Sequence, residues 1–122
     1  MKQIIIESAK NVFQAASLKK TILASAESCT GGMLSTAITD IPGSSTVFEC
    51  GFVTYSNLSK MKVLGVREET LKTFGAVSEE VAAEMAIGTL YNSKANLAIS
   101  ITGVAGPGGT TCLLYTSPSP RD

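Results

Sequence analysis

Residues 21–40 read TILASAESCTGGMLSTAITD and predict one strand–turn–helix unit. Its first six residues, 21–26, form a short apolar segment that predicts a buried strand. The segment ESCTGG at 27–32 predicts a tight turn, and 33–40 predicts a helix. A buried strand that passes through a tight turn into a helix is typical of α/β sheets, where ligands collect at the carboxyl ends of the strands.

Helical patterns flank this unit on both sides. Apolar side chains recur at helical spacing over residues 2–18. Asn57 is predicted to cap a helix that ends at Gly65, because a left-handed glycine commonly closes a helix. Ser78 is predicted to cap the clearest helix of the chain, over 78–94.

Two further segments predict strands. Residues 46–56 are rich in β-branched and aromatic side chains, and Gly51 within them suggests a bulge or a close backbone approach. Residues 95–103 form a continuous apolar run, typical of a strand buried on both faces, and a glycine-rich loop follows at 103–109. Helices and strands alternate, so the fold class is α/β, with three layers. If the two most buried strands are neighbours, the loops that follow them converge on one crevice.

The composition narrows the possible functions. With 122 residues, the chain is one domain or part of one, and 44% hydrophobic residues suffice for a packed core. Ten basic residues balance ten acidic ones, which argues against direct nucleic-acid binding. No apolar run approaches the ~20 residues of a membrane-spanning helix, so no membrane partner is expected. Three cysteines without paired spacing indicate reduced thiols and a cytoplasmic location.

The turn at 27–32 contains Ser28, Cys29 and Thr30, three side chains that could act as nucleophiles. The chain has no histidine, so histidine-based triads and dyads are unavailable. Cys29 lacks a histidine to form its thiolate and is expected to be a small buried residue. Backbone N–H groups at the start of the helix could hold a phosphate or an oxyanion. The alternative is that these hydroxyls only cap the helix.

Without histidine, a serine nucleophile needs another base. A partly buried lysine with a lowered pKa can replace it, and Lys60 is the candidate. An ordinary solvated lysine is the alternative. Tyr55, at the end of a predicted strand, could orient the lysine or relay the proton. Ser44 and Ser45 lie in PGSS, where turn formation is the simpler explanation.

The last eleven residues, 112–122, read CLLYTSPSPRD and show neither helical nor strand periodicity. They resemble the translated sequence of a sequencing adapter, so we leave them out of the fold prediction. Cys112 and Tyr115 are accordingly not assigned a function.

Four motifs, in order, resemble the C-terminal domain of the CinA (competence/damage-inducible) family, across residues 5 to 111. They are AESCTGG at 26–32, ITDIPGSSTVFECGFVTYSNLSKMKVLGV at 38–66, GAVSEEVAAEMA at 75–86 and SITGVAGPGG at 100–109. The resemblance implies a three-layer α/β/α domain. It also implies hydrolysis of the carboxamide of nicotinamide mononucleotide to nicotinate mononucleotide and ammonia, in pyridine nucleotide salvage, with no metal and no cofactor.

The family's site residues are expected at matching positions. Ser28 is the preferred nucleophile and Lys60 its base, with Ser45 or Tyr55 bridging the proton transfer. Ser28 and Ser45 are interchangeable in this scheme. The expected substrate-binding positions are Thr30, Gly31, Gly32, Thr102 and Gly103, and the backbone N–H groups of the glycines are expected to hold the oxyanion.

The sequence departs from the family pattern after residue 109. Members continue through two more strands, a closing helix and an arginine expected to face the phosphate, so the sandwich is predicted to be incomplete. The resemblance implies that residues 1–111 are a truncated domain, unstable and inactive as written, with residues 112–122 as a non-native tail. The expected partners are a small nucleotide and, at full length, a second copy of the chain. The alternative function is a nucleotide-binding or protein-interaction module without turnover.

Overall fold

A computed structural model describes residues 1–103 and the strand at 111–116. In this part of the chain the α/β prediction is confirmed, with five helices and four strands. The helices are α1 (Gln3–Lys19), α2 (Met33–Thr39), α3 (Asn57–Leu64), α4 (Glu68–Phe74) and α5 (Glu79–Tyr91), and the strands are β1 (Leu23–Glu27), β2 (Phe48–Val53), β3 (Leu97–Gly103) and β4 (Thr111–Thr116).

The strands form one sheet in the order β2-β1-β3-β4. β1 lies parallel to β2 and to β3, and β4 runs antiparallel along β3. The strands β1 and β3 are therefore neighbours, which meets the condition under which the loops that follow them converge. Because β1 and β3 are parallel, the turn after β1 and the end of β3 meet at the same edge of the sheet.

Helices cover both faces of this sheet. Side chains alternate between the faces along a strand, so Leu23 packs with Ala16 of α1, whereas Ala26 packs with Leu64 of α3 and Met85 of α5. The result is three layers, with α1 and α2 on one face and α3 to α5 on the other. In this alternation, the side chain of Glu27 faces α2 and that of Ser28 faces α3.

Gly51 marks a close approach between β2 and α2. A Cβ atom at this position would lie 2.3 Å from Ser35 Oγ and 2.8 Å from Ser25 Oγ. The groups that approach Gly51 are side-chain hydroxyls rather than the backbone that the sequence suggested, and they leave no room for a side chain at this position.

Several local predictions need correction. The cap of α3 is Ser56, whose Oγ accepts a hydrogen bond from Ser59 N at 3.1 Å, and Asn57 is the first helical residue. The cap of α5 at Ser78 is confirmed. Alternate side chains of β3 are only half-buried, so the strand is not buried on both faces. Cys29 is a half-buried free thiol rather than a buried one.

The C-terminal segment also differs from the prediction. Residues 111–116 form β4, and β4 pairs with β3 from Ala98 to Gly103. An unpaired backbone edge beside β3 is sufficient to recruit a strand even where side-chain periodicity is weak. Within the described residues, no helix is both long enough and apolar enough to cross a membrane.

Candidate active site

The serine of the turn lies directly after β1. Its backbone N–H donates to Ile101 O at 3.0 Å, which extends the β1–β3 ladder by one residue. On the other side, Thr54 N donates to Glu27 O at 2.9 Å and extends the β1–β2 ladder. Ser28 is therefore held at the carboxyl edge of the sheet by both neighbouring strands.

The side chain of Lys60 reaches this serine from α3. Lys60 Nζ donates to Ser28 Oγ at 3.0 Å, to Thr54 O at 3.0 Å and to Tyr55 O at 3.3 Å. Ser28 is 5% exposed and Lys60 1%. The amine of Lys60 and the hydroxyl of Ser28 are therefore in direct contact, as expected for the predicted pair.

The surroundings of Lys60 shift its protonation equilibrium toward the neutral amine. Burial lowers the pKa of Lys60 below its ordinary value of 10.5, and nearby Cys29 opposes part of this shift. Among the described residues, the two ion pairs join Arg67 to Glu84 and Lys72 to Glu68, so neither involves Lys60. A buried ammonium that is hydrogen-bonded to neutral oxygens and lacks a carboxylate loses its proton more easily than a solvated one.

Glu27 organises the turn from the other face, a role that the sequence analysis missed. Its Oε1 accepts from Thr30 Oγ1 at 2.7 Å and Leu34 N at 2.8 Å. Its Oε2 accepts from the backbone N and the Oγ of Ser35, both at 3.0 Å. Burial alone raises the pKa of Glu27, but these hydrogen bonds together hold it below its ordinary value. The signal available in the sequence was an acidic residue placed between a buried strand and a helix start.

The predicted substrate-binding residues of the turn have structural roles. Thr30 donates its hydroxyl to Glu27. Gly31 and Gly32 have φ values of 59° and 107°, a left-handed pair that brings the chain from β1 into α2. Gly31 N donates to Ser28 O at 3.1 Å, so this N–H already has a partner.

The predicted residues of β3 lie at the same edge of the sheet. Thr102 is buried, and its Oγ1 donates to Ala76 O at 2.8 Å, which ties β3 to the segment before α5. Gly103 is the last residue of β3. The rest of the predicted glycine-rich loop, 104–109, lies outside the described residues.

Ser45 is not beside the pair, contrary to the prediction. It is exposed, in the turn Ser44–Thr46 before β2. Because β1 and β2 are parallel and Leu23 N donates to Val47 O, this turn lies at the amino edge of the sheet. The five residues of β1 separate the two edges by about 16 Å, at ~3.3 Å per residue.

Tyr55 contributes differently from what was predicted. Its side chain is exposed, with 73% of the residue's surface accessible. Its backbone carbonyl, rather than its phenol, accepts the hydrogen bond from Lys60. In this structure Tyr55 orients the lysine through the main chain and offers no phenolic proton relay.

Comparison with known proteins identifies the family of the chain. The model of the CinA C-terminal domain matches residues 6–112. The chain belongs to the CinA C-terminal domain family. A crystal structure of competence/damage-inducible protein CihA from Agrobacterium tumefaciens has a TM-score of 0.85 and 40% identity, and the match covers 96% of this chain and 81% of that one.

Two relatives of this CinA-family chain differ in length and in name. A CinA-like protein of Chlorobium phaeobacteroides is 63% identical over 89 residues, which cover 73% of this chain and 21% of that protein. The nicotinamide-nucleotide amidohydrolase PncC of Escherichia coli is 52% identical over 105 residues, which cover 86% of this chain and 64% of that protein. The chain thus spans about a fifth of the first relative and less than two thirds of the second.

Proposed function

We propose that this CinA-family domain is an amidase that hydrolyses the carboxamide of nicotinamide mononucleotide, with Ser28 as nucleophile and Lys60 as base. The observation that carries the proposal is the 3.0 Å contact between Lys60 Nζ and Ser28 Oγ in a buried setting. The named activity of the Escherichia coli relative supports the substrate.

The hydrogen bonds of Lys60 suit a base. A neutral amine has two N–H groups and one lone pair. The carbonyls of Thr54 and Tyr55 accept the two N–H groups, so the lone pair is left to face Ser28 Oγ. The serine hydroxyl then donates its proton to the nitrogen as it attacks.

The reaction then proceeds in two halves. Ser28 Oγ bonds to the carboxamide carbon while its proton moves to Lys60. Lys60 passes that proton to the departing nitrogen, the carbon–nitrogen bond breaks, and ammonia leaves an ester on Ser28. Water attacks this ester, with Lys60 again accepting and returning a proton, and releases nicotinate mononucleotide.

The oxyanion requires hydrogen-bond donors from the turn. Gly31 N–H is occupied. Within the described residues, the N–H groups of Cys29 and Gly32 donate to no other residue, and the residue after a nucleophilic serine is a common oxyanion donor. We assign this role to Cys29 N–H and Gly32 N–H.

The proposal includes the expected setting of the protein. Free thiols at Cys29 and Cys50 are compatible with a cytoplasmic location. The reaction needs no metal or cofactor, because Lys60 supplies the base. A homodimer is proposed for the full-length protein on the basis of the family resemblance.

The test is ammonia release from nicotinamide mononucleotide. We would assay the 122-residue chain and a version whose residues after Thr111 are replaced by the C-terminal segment of the Escherichia coli relative. Ser28→Ala and Lys60→Ala are expected to abolish release. Lys62→Ala, on the same helix but exposed, is the matched control and is expected to remain active.

Each outcome has a distinct meaning. Release that persists in Ser28→Ala and Lys60→Ala would refute the pair. Nucleotide binding without release, in both versions of the protein, would refute the amidase and favour a binding module.

A further inference from the structure

Thr54 carries a buried hydroxyl that has no hydrogen-bond partner among residues 1–103 and 111–116. Its Oγ1 is shielded from solvent and makes no hydrogen bond within the described part of the chain, and the residue is 1% exposed. A buried unpaired hydroxyl lowers stability. Such a group beside a reactive pair suggests a partner that exists only at another stage of the reaction.

The hydroxyl lies on the same face of the sheet as the pair. Ala26 of β1 is in register with Phe52 of β2, and both pack in the cluster that faces α3 and α5. Because side chains alternate, Ser28 and Thr54, two residues further along, point to that face as well. The carbonyl of Thr54 accepts from Lys60 Nζ at 3.0 Å, so the unpaired hydroxyl belongs to a residue that already contacts the amine.

The proposed reaction creates a donor that needs an acceptor. Once the serine proton has moved to Lys60, the ammonium has three N–H groups. Two of them are held by the carbonyls of Thr54 and Tyr55. Ser28 Oγ, which lies 3.0 Å from Lys60 Nζ in the resting site, has become the oxygen of an ester and accepts hydrogen bonds poorly.

We propose that Thr54 Oγ1 accepts this third N–H and holds the protonated Lys60 in place until it delivers its proton. The inference rests on the proposed function and adds a positioning residue to it. No bond to Thr54 forms or breaks, since the proton travels from Ser28 to Lys60 and then to the leaving nitrogen. The titratable neighbour that acts on Lys60 is Cys29, and it is unchanged in every comparison below.

The direct test is an NMR titration of Lys60 in the full chain, in which Lys60→Met identifies its signal. Ser28→Ala removes the serine acceptor and imitates the acylated state. In that background, Thr54→Val is expected to lower the titration midpoint of Lys60 by about one pH unit, because the ammonium loses its remaining acceptor. Thr54→Ser is expected to restore it. Equal Lys60 midpoints in Ser28→Ala alone, with Thr54→Val and with Thr54→Ser would overturn the proposal.

Two further readouts separate positioning from a structural role. Thr54→Val alone is expected to melt at the same temperature as wild type or higher, because it removes an unpaired group. A melting point lower by several degrees would show a partner in the resting protein and overturn the proposal. For ammonia release, Thr54→Val is expected to lower kcat about tenfold with KM unchanged, and Thr54→Ser to recover it.

The titration does not depend on turnover. Failure of the amidase proposal would appear as absent ammonia release in wild type. Failure of the Thr54 proposal would appear as an unmoved Lys60 midpoint or an unchanged kcat.

Discussion

Replacing Lys60 by methionine should change how the stability of the domain depends on pH. The folded protein lowers the pKa of Lys60 from its ordinary 10.5 because the amine is buried. In the unfolded chain Lys60 keeps its proton up to about pH 10.5. Between the folded pKa and 10.5, the unfolded state therefore binds more protons, and the free energy of unfolding rises with pH. Methionine has a similar length and no titratable group, so this contribution disappears from the variant.

The magnitude follows from one proton. The difference in free energy of unfolding, wild type minus Lys60→Met, should rise by up to about 1.4 kcal/mol per pH unit above the folded pKa. Below that pKa the difference should be constant. Urea denaturation from pH 6 to 10 measures it, and Lys62→Met, at an exposed position, provides the control. If the difference in free energy of unfolding between wild type and Lys60→Met stays constant from pH 6 to 10, the account of a buried Lys60 that becomes neutral is refuted.

Two predictions concern the support of the site. Glu27→Gln should lower the free energy of unfolding by about 2–4 kcal/mol at pH 7, because it removes a buried charge that accepts four hydrogen bonds. Because the folded pKa of Glu27 lies below 4.5, the difference between wild type and Glu27→Gln should shrink as pH falls through that folded value. Equal free energies of unfolding for the two proteins at pH 7 would contradict this prediction. Gly88→Ala would place a Cβ atom 1.9 Å from Leu64 O and should cost about 3 kcal/mol by denaturation. A cost below about 1 kcal/mol would show that α3 and α5 can separate easily.

The Ser28–Lys60 pair could be predicted because elimination left few alternatives. A chain without histidine has few bases to offer a serine, and a strand–turn–helix pattern places that serine at the carboxyl edge of a sheet. Ser45 could not be placed in the same way. The order of residues along the chain does not reveal which edge of the sheet a turn occupies, and that edge depends on β2 running parallel to β1.

The roles of Glu27, Thr54 and Tyr55 could not be predicted from the sequence, for a different reason. Glu27 and Thr54 act through the faces that their side chains occupy, and a shift of one residue in register would exchange those faces. Tyr55 acts through its carbonyl, which side-chain chemistry cannot reveal. The strand at 111–116 depends on the free edge of β3 rather than on its own periodicity.

The dependence of kcat/KM on pH, for deamidation of nicotinamide mononucleotide, tests most directly whether Lys60 takes the proton of Ser28. The rate should rise with pH along one limb whose midpoint equals the folded pKa of Lys60 obtained from the stability difference. Lys60→Met should be at least about a hundredfold slower and lack the limb. The same limb at a similar rate in Lys60→Met would contradict the account.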